Sequence, residues 1–123
     1  IDYELFCGAN NNTMEERKVK EITVHELEQL KSQGKDYQLI DVREPYEYEI
    51  AEMGGEFIPL DSVVDNVERI ASDKQVIVHC RSGVRSANAI RALEDKFGFN
   101  NLYNLNGGIL AYADEVDSSL AKY

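Results

Sequence analysis

Residues 75–90 read QVIVHCRSGVRSANAI, and the succession of residue types in that stretch decides the fold. A run of branched apolar residues, Val76-Ile77-Val78, leads through His79 into Cys80. Strands that are apolar on both faces belong inside parallel sheets covered on both sides. The next residues, Arg81-Ser82-Gly83-Val84-Arg85, form a short polar segment suited to a tight loop. From there the apolar period changes, and Val84, Ala87, Ile90, Leu93 and Phe97 fall on one face of a helix. A strand, a loop and a helix therefore meet at a cysteine.

The same alternation extends in both directions. Thr23 is placed to cap a helix carrying Val24, Leu27 and Leu30, with Gly34 stopping it. Tyr37 to Val42 reads as a strand, and Pro45 opens a short helix through about Ala51. Met53 to Gly55 is a turn and Phe57 to Pro59 an extended piece; Asp61 is expected to cap a helix bearing Val63, Val64, Val67 and Ile70. On the other side, NLYNL at 101–105 is a further strand, and Gly107-Gly108 precedes a last helix. Strands alternating with helices specify an α/β domain with a mostly parallel sheet. Residues 1–20 carry no sustained period: Gly8 to Thr13 is a turn-rich linker and Met14 to Lys20 a charged lead-in. The domain is expected over 21–123. No internal repeat is visible.

Composition narrows the function classes. The chain has 123 residues, which suits one core. Its 23 acidic against 13 basic residues give a net charge of -10, a surface that repels nucleic acid and anionic lipid, so neither is expected as a partner. No apolar run approaches the ~20 residues of a membrane span. Two cysteines, Cys7 and Cys80, are too few for a disulfide framework, and a reducing, cytoplasmic setting is expected. Neither belongs to a Cys-x-x-Cys pair, so no metal site and no cofactor are expected. The chain begins at Ile1, as a piece of a longer protein would.

In a parallel α/β sheet, ligands gather beyond the carboxyl ends of the strands, where Cys80 lies. Backbone N–H groups of the loop and of the first helical turn are expected to converge on its sulfur, bringing unpaired donors and the positive end of the helix dipole. Arg81 and Arg85 add two cationic side chains, and small Ser82 and Gly83 let the loop close tightly. Such surroundings favour thiolate over thiol and take a cysteine from ~8.5 to roughly 3.5–7.5. Cys80 is the expected nucleophile.

Taken together, IDVREPYEYEI (40–50), CRSGVRS (80–86) and NLNGGILAY (104–112) resemble a rhodanese-like, or sulfurtransferase, domain over about residues 20–123. The resemblance implies a five-stranded, mostly parallel sheet with helices on both faces. It also implies that Cys80 carries a persulfide, that Arg81, Ser82, Gly83, Val84 and Arg85 form the loop holding the outer sulfur, and that Asp41 and Arg43 of the Asp-Val-Arg stretch lie near it. IDYELFCG (1–8), MGGEFIPL (53–60) and the closing GGILAYADEVDSSLAKY (107–123) are similar to the carboxyl-terminal part of MoeB/ThiF-type proteins. There an adenylyltransferase domain precedes the rhodanese-like one and activates a ubiquitin-like sulfur-carrier protein. Residues 1–20 would then be the tail of that domain and a linker. The implied donor is thiosulfate or a cysteine desulfurase persulfide, and the implied pathways are molybdopterin, thiamine or tRNA thiolation. Gly54-Gly55-Glu56 stands where many members have Gly-His-Ile, and Tyr112 where tryptophan is usual, a substitution expected to conserve packing.

Two other readings start from the same cysteine. A cysteine phosphatase or arsenate reductase also uses His-Cys and an arginine, but with one more residue between them than the four that separate Cys80 from Arg85. The smaller bowl suits a single sulfur atom and crowds a phosphate. A non-catalytic binding module fits the fold but leaves the intact CRSGVR loop without a purpose. Among other residues, His79 reads as a core histidine or a tuner of the thiol, and Asp41 as a partner for a loop arginine or a strand end. Arg43 reads from composition alone as a surface residue. Glu44, Glu47, Glu49 and Glu52 read as a solvated helix face, and His25 as exposed. Cys7 reads as a bystander, or as a resolving thiol.

Overall fold

In the computed structural model, which describes residues 19–122, Gln75–His79 forms the central strand of a five-stranded parallel sheet. In chain order the strands are β1 (Glu21–Ile22), β2 (Tyr37–Asp41), β3 (Glu56–Phe57), β4 (Gln75–His79) and β5 (Leu102–Leu105). They lie side by side as β1-β5-β4-β2-β3. The register pairs Asp41 of β2 with His79 of β4, and Val78 of β4 with Asn104 of β5. The helices are α1 (Val24–Ser32), α2 (Pro45–Ile50), α3 (Val84–Phe97) and α4 (Gly108–Glu115).

Side-chain alternation along the strands builds two cores. Ile40, Val42, Val76, Val78 and Cys80 point to one face, where Ala89, Ile90 and Leu93 of α3 pack on them with Ile58, Val63 and Ile70. Leu39, Ile77 and Leu105 point to the other, against Val24 and Leu27 of α1 and Tyr112 of α4. Each fully buried aliphatic side chain contributes about 1.5–3 kcal/mol of transfer free energy, so both layers are needed to hold the sheet. The chain leaves β2 toward β3 at one edge and leaves β4 toward β5 on the opposite side. The crevice between β2 and β4 is therefore the point where the crossovers diverge, the usual ligand position in such sheets.

Two sequence expectations change. The helix expected after Asp61 is instead two 3-10 segments, Leu60–Ser62 and Val64–Arg69, the second kinked at Asn66. Asn66 explains it: its side-chain Nδ2 donates to the Ser62 carbonyl at 2.8 Å, the acceptor its own N–H would use in an α-helix. The buried face of α3 is Ser86, Ala89, Ile90 and Leu93, whereas Val84 and Phe97 are exposed. The two-residue β1 gives no periodic signal at all. Thr23 caps α1 as expected, accepting from the Glu26 N–H while Glu26 accepts from the Thr23 N–H. At Tyr112 the packing expectation holds and a polar role is added, because its hydroxyl donates to Glu28 and accepts from Lys31 across the α1–α4 seam. Cys7 lies outside the described residues.

Candidate functional site

Cys80 follows β4 directly, on the α3 face of the sheet, and is buried. The backbone around it is held in place by two glycines. Gly83 has φ +112°, open only to a residue without a Cβ at no cost, and this turns its N–H onto the Cys80 Sγ at 3.1 Å. Gly108 lets the start of α4 press against the base of the loop. A Cβ there would sit 2.4 Å from the Arg81 carbonyl oxygen and 2.6 Å from that of Cys80. Through this close approach, Ile109 N–H donates to the Cys80 carbonyl (3.0 Å) and Leu110 N–H to the Arg81 carbonyl (3.2 Å). With the Arg81 carbonyl turned toward α4, the Ser82 N–H across the same peptide plane turns the other way, toward the sulfur.

The electrostatic outcome follows from these donors. Burial pushes the Cys80 thiol up, but hydrogen bonds from the Ser86 hydroxyl and from the backbone N–H groups of Ser86, Gly83 and Ser82 outweigh it, leaving the thiol below its ordinary value. Backbone geometry thus does much of what composition assigned to the arginines.

Arg85 reaches across to α2. Its Nη1 donates to Glu47 Oε1 at 2.7 Å and its Nη2 to Glu47 Oε2 at 2.9 Å, a two-pronged ion pair. Glu47 is only 2% exposed, so the solvated face expected for the α2 glutamates holds for Glu44, Glu49 and Glu52 but not for it. The helical spacing of these glutamates concealed the difference, since only tertiary contact distinguishes Glu47. Its signal in the sequence was the loop cation, Arg85, which needs a counter-charge when partly buried.

Asp41 and Arg43 form a second, fully buried ion pair at the end of β2. Arg43 Nε and Nη2 donate to Asp41 Oδ1 (2.8 Å) and Oδ2 (2.7 Å), and Asp41 Oδ1 also accepts the Arg43 backbone N–H. The remaining guanidinium N–H groups hold α2, donating to the Glu47 carbonyl at 3.3 Å and the Ala51 carbonyl at 2.6 Å. Arg43 is thus no surface residue; it fixes the helix whose Glu47 holds Arg85. His79 lies buried beside the pair, its Nε2 3.9 Å from Asp41 Oδ2. Burial lowers its pKa, with Asp41 opposing and Arg43 assisting, so the imidazole is kept neutral.

The structure brings Ser82, Gly83, Ser86 and Cys80 together around the sulfur and places Arg85, Glu47, Arg43 and Asp41 in a linked scaffold beside it. The sequence alone assigned no site role to Ser86, Glu47, Asn104 or Gly108. His25 lies away from the loop, its Nε2 2.7 Å from Glu115 Oε1 on α4. No group of His, Cys, Asp and Glu able to hold a metal occurs among the described residues.

Comparison with known proteins meets the same fold. The chain is 34% identical to the probable adenylyltransferase/sulfurtransferase MoeZ of Mycobacterium tuberculosis, over all of this chain and 32% of that protein. It is 31% identical to the adenylyltransferase and sulfurtransferase UBA4 of Saccharomyces cerevisiae, over all of this chain and 31% of that protein. It therefore spans about a third of the length of these relatives. A crystal structure of a rhodanese-like domain protein from Staphylococcus aureus superposes with a TM-score of 0.72 at 30% identity, covering 85% of this chain and 99% of that one. The rhodanese-like domain model matches residues 23–115, which include β2, the Cys80 loop and the Gly107-Gly108 turn. With fold, loop and sequence in agreement, the chain belongs to the rhodanese-like family.

Proposed function

We propose that this chain is a sulfurtransferase that carries sulfane sulfur as a persulfide on Cys80 and passes it to an activated acceptor. The convergence of loop N–H groups on a buried, easily ionised cysteine carries the reading. The Cys80 thiolate attacks the outer sulfur of thiosulfate or of another protein's persulfide. A bond forms from Sγ to that sulfur, the donor's S–S bond breaks, and its electron pair leaves on sulfite or on the donor thiolate. Loop N–H groups stabilise the negative outer sulfur, a preorganised anion site. Four residues between Cys80 and Arg85 enclose one added atom more readily than a phosphoryl group.

The relatives' names join sulfur transfer to adenylyl transfer, and this supports an acceptor activated as an acyl adenylate at the carboxyl terminus of a ubiquitin-like carrier. The outer sulfur would attack the acyl carbon and expel AMP. Two external thiols then reduce the resulting acyl disulfide, becoming a disulfide themselves, and this releases the thiocarboxylate and returns Cys80 as a thiol. A macromolecular acceptor is also favoured by exposed apolar side chains on the helices that the Glu47–Arg85 pair joins: Tyr46 and Ile50 on α2, and Val84 on α3. The adenylyltransferase partner belongs to the same proposal.

The test is turnover. Thiosulfate and cyanide should yield sulfite and thiocyanate, Cys80→Ala should lose this activity, and aryl phosphates should not be hydrolysed. Efficient phosphatase activity with no thiocyanate formed would overturn the reading.

A further inference from the structure

The Ser86 hydroxyl has one proton and two acceptors. Ser86 is fully buried in the first turn of α3, and Asn104 is buried on β5, the neighbour of β4. Asn104 Nδ2 lies 3.0 Å from the Gly83 carbonyl oxygen, which can only accept, so the NH2 group faces the loop and Oδ1 faces Ser86. Ser86 Oγ is 2.5 Å from Asn104 Oδ1 and 3.5 Å from Cys80 Sγ. Oδ1 cannot donate, so at the shorter contact the serine proton points to Asn104 and the sulfur faces an oxygen lone pair. That arrangement suits a thiol, whose S–H can donate to Oγ. A thiolate needs the opposite arrangement.

We propose that the Ser86 hydroxyl is a two-position donor that follows the charge on Cys80, and that Asn104 is the positioning residue that holds its proton whenever Sγ is uncharged. The role of Cys80 as sulfur carrier rests on the function proposed above, whereas the proton's movement requires only the thiol and its ionisation. In the thiol, Ser86 donates to Asn104. On ionisation the hydroxyl rotates and donates to Sγ, leaving Oδ1. In the persulfide the charge moves to the outer sulfur, Sγ becomes a poor acceptor, and the proton returns to Asn104. When cyanide attacks the outer sulfur, a C–S bond forms and the Sγ–S bond breaks. The electron pair stays on Sγ, thiocyanate departs, and Ser86 turns to the new thiolate. Rotation alone is involved, and the network gains or loses no proton. Because each turn toward sulfur deprives a buried carbonyl of its donor, Asn104 opposes thiolate formation.

Charged groups around the sulfur are Arg81 on the loop, Arg85 on α3, Glu47 on α2, and the Asp41, Arg43 and His79 group at the ends of β2 and β4. They are common to every variant below, so differences between variants isolate the Ser86–Asn104 pair. The readout is the pH dependence of Cys80 alkylation, followed on the Cys80 peptide by mass spectrometry. Ser86→Ala should raise the midpoint by about one pH unit, the loss of one charge-assisted hydrogen bond. Asn104→Leu should lower it, and in the Ser86→Ala background should leave it unchanged, while Ser86→Thr keeps the dependence on Asn104. If Asn104 merely supports the loop, Asn104→Leu raises the midpoint in both backgrounds, and the proposal is overturned.

Should Asn104→Leu fail to fold, carbon-13 NMR of the Asn104 side-chain carbonyl in the wild-type protein decides the matter. Its resonance should move upfield as the thiol ionises and return when thiosulfate loads the sulfur. A resonance that stays fixed across ionisation overturns the proposal. Failure of thiosulfate to load sulfur would count against the sulfurtransferase reading alone, because the ionisation step requires no donor.

Discussion

Two strand-to-helix turns stand side by side at the carboxyl edge of the sheet, one after β2 and one after β4, and they use their donors in opposite ways. After β2, Asp41 takes the Arg43 N–H, Glu47 takes the Glu44 N–H at 2.9 Å, and Pro45 offers none. Side chains of the turn itself satisfy its donors. After β4 no side chain caps α3 at Gly83, and the Gly83 N–H points at the Cys80 sulfur instead. Similar topology thus yields a turn closed on its own carboxylates in one place and, in the other, a turn whose N–H donor faces a cysteine sulfur. The difference lies in whether the turn's own side chains consume its N–H groups. Glu47 joins the two, accepting from Glu44 on its own side and from Arg85 on the other.

The comparison breaks most visibly at Arg43. Removing it should damage stability far more than thiol chemistry, because Asp41 is left buried without its counter-ion. Arg43→Ala should cost about 3–5 kcal/mol, the usual consequence of halving a buried pair, measured by urea unfolding. A variant of wild-type stability that had lost only sulfur transfer would place Arg43 in the reactive turn instead.

Arg85 should give an intermediate effect and Arg81 a small one. Arg85→Ala leaves Glu47 buried without its two-pronged partner and should cost roughly 1–3 kcal/mol, less than Arg43 because the Arg85 side chain is 32% exposed. Arg85→Lys should recover part of that, since lysine keeps the charge but not the fork. Arg81→Ala should change stability by less than about 0.5 kcal/mol. Equal losses for the two alanine variants would show that the Glu47 pair contributes nothing specific.

Protonation separates the turns again. His79 has its pKa lowered by burial, so below the ordinary imidazole value of 6.5 the unfolded chain binds more protons and stability falls as the pH drops. Cys80 is also lowered, so its contribution is present in full above the ordinary thiol value of 9.0 and is lost as the pH falls through the folded-state value. Urea unfolding across pH should show a shallower acid limb in His79→Leu, and in Cys80→Ser the loss of the gain in stability that the wild-type thiol gives as the pH rises toward 9.0. A gain unchanged by Cys80→Ser would contradict the thiolate-stabilising loop.

Much of this could be read in the chain. The apolar run before Cys80 marked β4, Pro45 marked α2, and the short loop with its glycine marked the turn into α3, because those signals are local. What remained hidden depends on contacts distant in sequence. Glu47 looked like its exposed neighbours until α3 supplied Arg85, and Arg43 looked like any surface arginine until β2 and α2 enclosed it. Asn66 ended the expected helix through a side-chain bond that no apolar period records. Gly108 was visible as a helix start, but its closeness to the Cys80 and Arg81 carbonyls required the fold.

The central claim is that the turn after β4 makes Cys80 a sulfur carrier, and the mass of the intact protein after thiosulfate treatment tests it most directly. The wild-type chain should gain the mass of one sulfur atom, located on the Cys80 peptide and removed by cyanide or a thiol reductant, and Cys80→Ala should gain none. Sulfur found on Cys7, or a wild-type mass unchanged by thiosulfate and by a protein persulfide donor alike, would contradict it.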